Sequence, residues 1–200
     1  MKKKFIWIAL LCCLLSALLA GCGGTGKKDI YATLNQLAAK TPQTVTLQTS
    51  VTAGGETLTG EFEVKTEENG YRVTYSYQKF NTFEEEEGEY QIPGTDVSSV
   101  EGNMLVSDGK IIEQNGSASD ITVEQITASG VKFAASCFTD VKQTEGSFQA
   151  KVSDPSAFLQ EEISCTDMTV SVSYGEIISS MKIAYTSAGG AQVELEYTFA

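Results

Sequence analysis

The sequence predicts an α+β fold: a single curved antiparallel sheet, an incomplete barrel, with two or three short helices in its concave face. Three observations predict it. Apolar residues alternate with period two through most of the stretch from Val45 to Phe199, glycine-containing turns separate the alternating runs, and the helical signals are few and short. Alternation marks strands with one buried face. That face needs a cover, and the helices are the only segments able to supply one.

The elements follow in order. Asp29 caps a helix whose apolar positions Ile30, Leu34, Leu37 and Ala38 share one side, and Thr41-Pro42 ends it. Val45, Leu47, Thr49 and Val51 form a strand that turns at Gly54-Gly55. Leu58, Gly60, Phe62 and Val64 form the next, Asn69-Gly70 turns, and Tyr71, Val73, Tyr75 and Tyr77 complete a meander. Asn81 to Asp96, with Glu84 to Glu87, Glu89 and Pro93, reads as a solvated loop or edge excursion; it lacks the Asp-x-Asp-x-Asp spacing of a calcium loop.

Strand pattern resumes from Val100 to Val106, and Asp108-Gly109 makes a hairpin with Lys110 to Gln114. Asp120 to Phe138 is expected to be helical, with Thr122 and Gln125 as a capping box and Ile126, Phe133 and Cys137 on one face. Gly130 and the β-branched residues weaken that expectation. Phe148, Ala150 and Val152 alternate, and Asp154-Pro155 then starts a short helix toward Ile163. Three strands close the chain, carrying Met168 to Tyr174, Ile177 to Tyr185 and Val193 to Phe199.

Composition narrows function. Fourteen basic against 26 acidic residues give a net charge of −12. A phosphate-backbone binder needs a basic face, so nucleic acid is excluded as an expected partner. The chain has no histidine, which removes most zinc, copper and haem sites and every histidine-based triad. With 26 carboxylates, no pair stands out as a glycosidase couple, and Ser107 with Lys110 lacks a supporting motif for a nucleophile. No enzyme, cofactor or metal is expected.

The first residues carry an address. Met1 to Lys4 is basic, and Phe5 to Ala20 is an apolar run of about 16 residues, short for a membrane span and suited to a signal-peptide core. Leu19-Ala20-Gly21-Cys22 follows, and it resembles the lipobox of bacterial lipoproteins. The resemblance implies cleavage before Cys22 and lipidation of its thiol. Residues 1–21 are then a signal peptide, 22–28 a lipidated cysteine with a flexible tether, and 29–200 the folded domain. The location implied is the extracytoplasmic face of a cell membrane, with the membrane as a partner through the Cys22 lipid. Gly21, Gly26 and Lys27 mimic a phosphate-binding loop, but Lys28 stands where Ser or Thr is required.

Loss of residues 1–21 takes Lys2, Lys3 and Lys4 and moves the net charge from −12 to −15. Of the five cysteines, Cys137 and Cys165 then remain unmodified. In an oxidising exterior they are candidates for a disulfide across about 28 residues. The alternative is two buried thiols acting as small hydrophobes.

The helix, the meander with Leu58-Thr59-Gly60-Glu61-Phe62, and Leu105-Val106-Ser107-Asp108-Gly109-Lys110 together resemble the LolA/LolB lipoprotein-carrier superfamily. Val152-Ser153-Asp154-Pro155, opening a helix before three closing strands, resembles the LppX/LprG-type lipoproteins of the same fold. The resemblance implies an apolar cavity that takes lipid or acyl chains. Phe62, Tyr71, Tyr75, Tyr77, Met181, Ile183 and Tyr185 are its expected lining, unless the same residues pack as a filled core. A surface interaction module on the same fold, meeting a protein partner through its acidic exterior, is the second reading.

Overall fold

The computed structural model describes residues 29–40, 42–68, 70–80, 82–85, 88–91, 97–107, 110–112 and 118–200. The expected signal peptide, Cys22 and tether lie outside the described residues, as do the turn residues Asn69, Asp108 and Gly109.

Helix α1 spans Ile30–Ala38, and β1 (Thr44–Ala53), β2 (Glu56–Glu67) and β3 (Gly70–Phe80) follow. Next come β4 (Thr82–Glu85), β5 (Gly88–Gln91), β6 (Val97–Ser107), β7 (Lys110–Ile112) and β8 (Ala118–Thr122). Helix α2 (Val123–Thr127) and a 3-10 turn (Ala135–Cys137) lead to β9 (Phe138–Thr144), β10 (Ser147–Val152) and α3 (Pro155–Leu159). Strands β11 (Cys165–Tyr174), β12 (Ile178–Ser187) and β13 (Gln192–Phe199) end the chain.

Among the described residues, eleven strands form one antiparallel sheet in the order β8-β7-β6-β3-β2-β1-β13-β12-β11-β10-β9, and β4 pairs only with β5. Strands β8 and β9 are its two edges, so the sheet is open. It consists of two meanders joined where β1 pairs with β13. Strand content dominates, and the helices are short.

Side chains directly opposite each other in antiparallel strands share a face. One row therefore runs unbroken through Tyr75, Phe62, Leu47, Tyr197, Met181, Val172 and Phe148. All seven are buried. The three helices cover this face, each inserting one fully buried residue: Leu34 from α1, Ile126 from α2 and Phe158 from α3. Asp29 caps α1 by accepting from the Tyr31 N–H at 3.0 Å, and Asp154 caps α3 by accepting from the Ala157 N–H at 3.0 Å.

Phe133, Phe138 and Phe148 cluster with Phe158 of α3; Phe138 meets Phe158 and Phe148 edge to face, with ring centroids 5.3 Å and 5.5 Å away, and stacks on Phe133. Phe133 lies in an irregular segment that the Asn35 side chain of α1 holds in place. The Asn35 amide donates to the Phe133 carbonyl at 2.7 Å, and its oxygen accepts from the Phe133 N–H at 2.9 Å. That pair gives a segment without ladder partners the hydrogen bonds its backbone requires.

Several elements differ from expectation. The 120–138 stretch is the end of β8, a short helix, a left-handed Ala128 at φ 52° and an extended run before the 3-10 turn. Ile126, Phe133 and Cys137 are all buried, but not on one helical face. The capping box is present: the Gln125 N–H donates to Thr122 Oγ1 at 3.2 Å and the Thr122 N–H donates to Gln125 Oε1 at 2.9 Å. Helix α3 stops at a left-handed Gln160, short of Ile163. The stretch read as a solvated loop or edge excursion contains a strand pair outside the main sheet, β4 with β5, in which Phe83 stands opposite Tyr90, aromatic residues that favour strands. An extra residue at Ser179 bulges β12, so Ile178 rather than Ile177 joins the core face.

The disulfide expectation is corrected: Cys137 and Cys165 are free thiols. Strand β10 lies between β9, which Cys137 precedes, and β11, which Cys165 begins. Two strand spacings of about 4.8 Å exceed the separation of about 7 Å that a bridge tolerates.

Asn35→Ala leaves both Phe133 backbone groups without their partner. The expected loss is about 2–3 kcal/mol of unfolding free energy, measured by urea denaturation; a loss below about 0.5 kcal/mol would show that water replaces the clamp.

Candidate apolar site beneath the first two helices

The core rows differ in side-chain size, and this locates the site. The row containing Phe62, Tyr75 and Tyr197 is filled by rings and long aliphatics. The adjacent row, Phe199, Val45, Val64 and Val73, is mostly valine. Over it lie the C-terminal end of α1, with Leu37, Ala38 and Ala39, and the small residues Val123, Thr127 and Ala128 of α2 and its end. Short side chains from both layers do not meet. They leave a cavity of about 390 Å³.

Its floor consists of the buried Val45, Val64, Ile178 and Met181. Its rim includes the exposed Lys40, Glu124, Ser129 and Ile177. The charged groups of the lining are therefore at the mouth and the interior is apolar. The Lys40 ammonium donates to the Glu176 carbonyl, tying the end of α1 to the turn between β11 and β12. On the other side, the Tyr197 hydroxyl donates to the Gln125 carbonyl of α2 at 3.1 Å, anchoring that helix to β13.

The seven expected lining residues divide. Tyr71 and Met181 line the cavity. Phe62, Tyr75 and Ile183 do not; they are buried in the core row or its neighbour. Phe62 stacks on Tyr75 and Tyr77, with centroids 6.4 Å and 6.1 Å away. Tyr77 and Tyr185 are half-buried on the same face, away from the cavity. The valines and the helix ends were the missed residues. Their signal was a run of small side chains where neighbouring rows are aromatic, visible only once register is known.

Electrostatics around the site are simple. Burial pushes the Tyr197 phenol far above its ordinary range, with smaller contributions from Tyr185 and Glu161. Burial also raises Tyr185, helped by Cys165, and raises the Cys165 thiol, which keeps it protonated and poorly nucleophilic. Among the described residues, no group of three or more cysteine, aspartate or glutamate side chains is arranged to hold a metal ion.

No known protein-family profile matches the chain, and no curated protein matches it. Among solved structures there is weak similarity to a DUF1329 family protein from Desulfovibrio piger, at 11% identity over 86% of this chain and 92% of that one, with a TM-score of 0.27. Dehydratase domains from the CurF and CurK modules of the curacin polyketide synthase follow, at 11% and 14% identity and a TM-score of 0.22 each. They cover 85% and 88% of this chain, and 80% of each domain. Scores this low carry no argument about fold or activity.

Unfolded tyrosines ionise near pH 10, whereas Tyr197 and Tyr185 stay protonated to higher pH in the folded protein. Above about pH 10 the unfolded state therefore holds fewer protons, and stability falls as pH rises. Tyr197→Phe is expected to cost about 1 kcal/mol at neutral pH and to flatten the alkaline decline, read as unfolding midpoints from pH 7 to 11. An unchanged alkaline slope would show that Tyr197 is not its source.

Proposed function

We infer that this protein is a membrane-anchored extracytoplasmic lipoprotein that binds an acyl chain in the cavity beneath α1 and α2. The observation that carries the reading is the arrangement of that cavity: about 390 Å³ with an apolar floor and its charged groups at the rim. Its size is in the range of small-molecule sites. A polar ligand would lose its hydration against Val45, Val64 and Met181 with nothing to replace it. An amphiphile places its tail on that floor and keeps its headgroup in water beside Lys40 and Glu124.

The anchor draws support from Leu19-Ala20-Gly21-Cys22, preceded by a basic start and a short apolar core. Each acyl CH₂ buried in the bilayer contributes about 0.8 kcal/mol, so two chains hold a protein at the surface. Among the described residues, no helix is long and apolar enough to cross a membrane. The likeness in element order to the LolA/LolB and LppX/LprG-type lipoproteins agrees with the same role.

A second reading is an interaction module without lipid cargo. It is favoured by the outer face of the sheet, where Glu196, Gln48, Glu61, Ser76 and Glu101 form one polar, acidic row across five strands.

Two measurements test the reading. Cys22→Ser is expected to abolish incorporation of labelled palmitate and to leave the precursor uncleaved; retained labelling would overturn the anchor. Residues 23–200, exported without the anchor, are expected to yield a lipid on organic extraction and mass spectrometry and to bind a fluorescent fatty acid. Ala38→Phe, which places a ring in the cavity, is expected to weaken that binding roughly tenfold. No copurified lipid and no fatty-acid binding would leave the interaction module as the better account.

A further inference from the structure

The cavity has a direction. Three rows of the sheet's inner face run beneath it: Thr66 and Tyr71, then Phe199, Val45 and Val64, then Met181. Exposure falls along them. Thr66 is exposed and Tyr71 half-buried, Val45 and Val64 are each 2% exposed, and Met181 is 1% exposed. Pro42, whose carbonyl accepts from Thr66 Oγ1 at 3.1 Å, places the chain after Lys40 at the first row.

The third row closes the space. Met181 lines the cavity, whereas Tyr197, Leu47 and Phe62 of the same row do not. Beside Met181, Tyr197 bridges from the sheet to α2 by donating its hydroxyl to the Gln125 carbonyl at 3.1 Å. The hollow is therefore open at Lys40 and stopped at Met181.

Two measures give its capacity. The first and third rows are four residues apart on β3, Tyr71 to Tyr75, or about 13 Å. A hydrocarbon zigzag advances about 1.3 Å per carbon, so roughly ten extended carbons fit that depth. An apolar cavity of about 150 Å³ holds one benzene, so on that scale about 390 Å³ holds roughly 15 carbons. Two tails of a membrane lipid exceed both measures.

We propose that the cavity takes one acyl chain of about 10 to 15 carbons at a time, its terminal methyl against Met181 and its headgroup at Lys40 and Glu124. The proposal rests on the acyl-binding reading and adds the number of chains, their length and the residue that stops them. The ligand class is a single-chain amphiphile. A second tail, or the excess of a longer one, would lie over the rim, where each carbon left in water lowers affinity about fourfold.

The test uses the full chain, purified as the lipidated protein on vesicles of phosphatidylethanolamine and phosphatidylglycerol. Fatty acids of 8, 12, 16 and 20 carbons, each with a diazirine at the terminal carbon, are added at equal bilayer concentration and illuminated. Intact mass counts the adducts, and peptide mass spectrometry places them. One adduct per protein is expected, with the 12-carbon probe labelling Met181 or its neighbours and the 20-carbon probe labelling the cavity at least fivefold less. Two adducts per protein, or undiminished cavity labelling by the 20-carbon probe, overturns the single-chain limit and leaves the acyl-binding reading standing. Absence of cavity labelling by every probe overturns that reading and the proposal together. Met181→Ala, or Met181→Val where the deeper truncation does not fold, is expected to raise 16-carbon labelling about threefold. Unchanged labelling in the folded variant would remove Met181 as the stop.

Discussion

The ladder between β1 and β13 is the constraint on which the rest of the structure depends. It is the single junction between two meanders, β1 to β8 and β9 to β13, each built from local pairings. Eight residue pairs, from Val45 opposite Phe199 to Thr52 opposite Gln192, bring together strands separated by almost the whole folded chain. Reciprocal bonds between Thr44 and Ala200, both 2.9 Å, close its end. The ladder sets Leu47 opposite Tyr197 and so makes one apolar face of two. A slip of one residue would turn the apolar set of one half toward solvent. Closing so long a loop costs entropy before any contact returns it.

The helices are arranged as that junction requires. Helix α1 precedes the first meander in sequence, yet its Asn35 holds Phe133 beside the aromatic cluster of the second. Helix α2 follows the first meander and is tied through Gln125 to Tyr197 of the last strand. These two helices each link the two halves of the chain. Their cover is narrower than the sheet, because they contribute few large residues. Where Ala38, Thr127 and Ala128 face Val45 and Val64, the two layers separate and the cavity forms. The same short side chains that limit packing keep that space apolar.

Much of the sheet was legible because period-two alternation and glycine turns are local signals. Gly54 and Gly55 at φ 60° and 88° turn β1 into β2 where the sequence places a turn, a conformation glycine adopts without steric penalty. Strand β9 was not legible. After Phe138 every residue from Thr139 to Thr144 is exposed, so an edge strand leaves no apolar alternation to read. Bulges were invisible for a related reason. The extra residues at Asp140 and Asp167, with φ of 52° and 55°, shift register between strands, and register is a property of pairs. The cavity was legible only in part. Tyr71 and Met181 look inward from alternation alone, but whether a ring fills the core, as Phe62 does, depends on what lies above it.

A packing flaw and a binding site can have the same lining, and energy separates them. Sealed cavities in protein cores cost about 24 cal/mol per Å³. At about 390 Å³, a sealed void here would cost about 9 kcal/mol, comparable to the whole stability of a typical domain. The chain could not carry it as an accident of packing. Exposed rim residues, Lys40 and Ile177 among them, open the hollow to solvent, so it is a hydrated apolar cleft and not a void. An apolar chain laid over Val45, Val64 and Met181 would release the water that otherwise covers that apolar surface. The small residues that weaken the cover would thus supply the driving force for such a replacement.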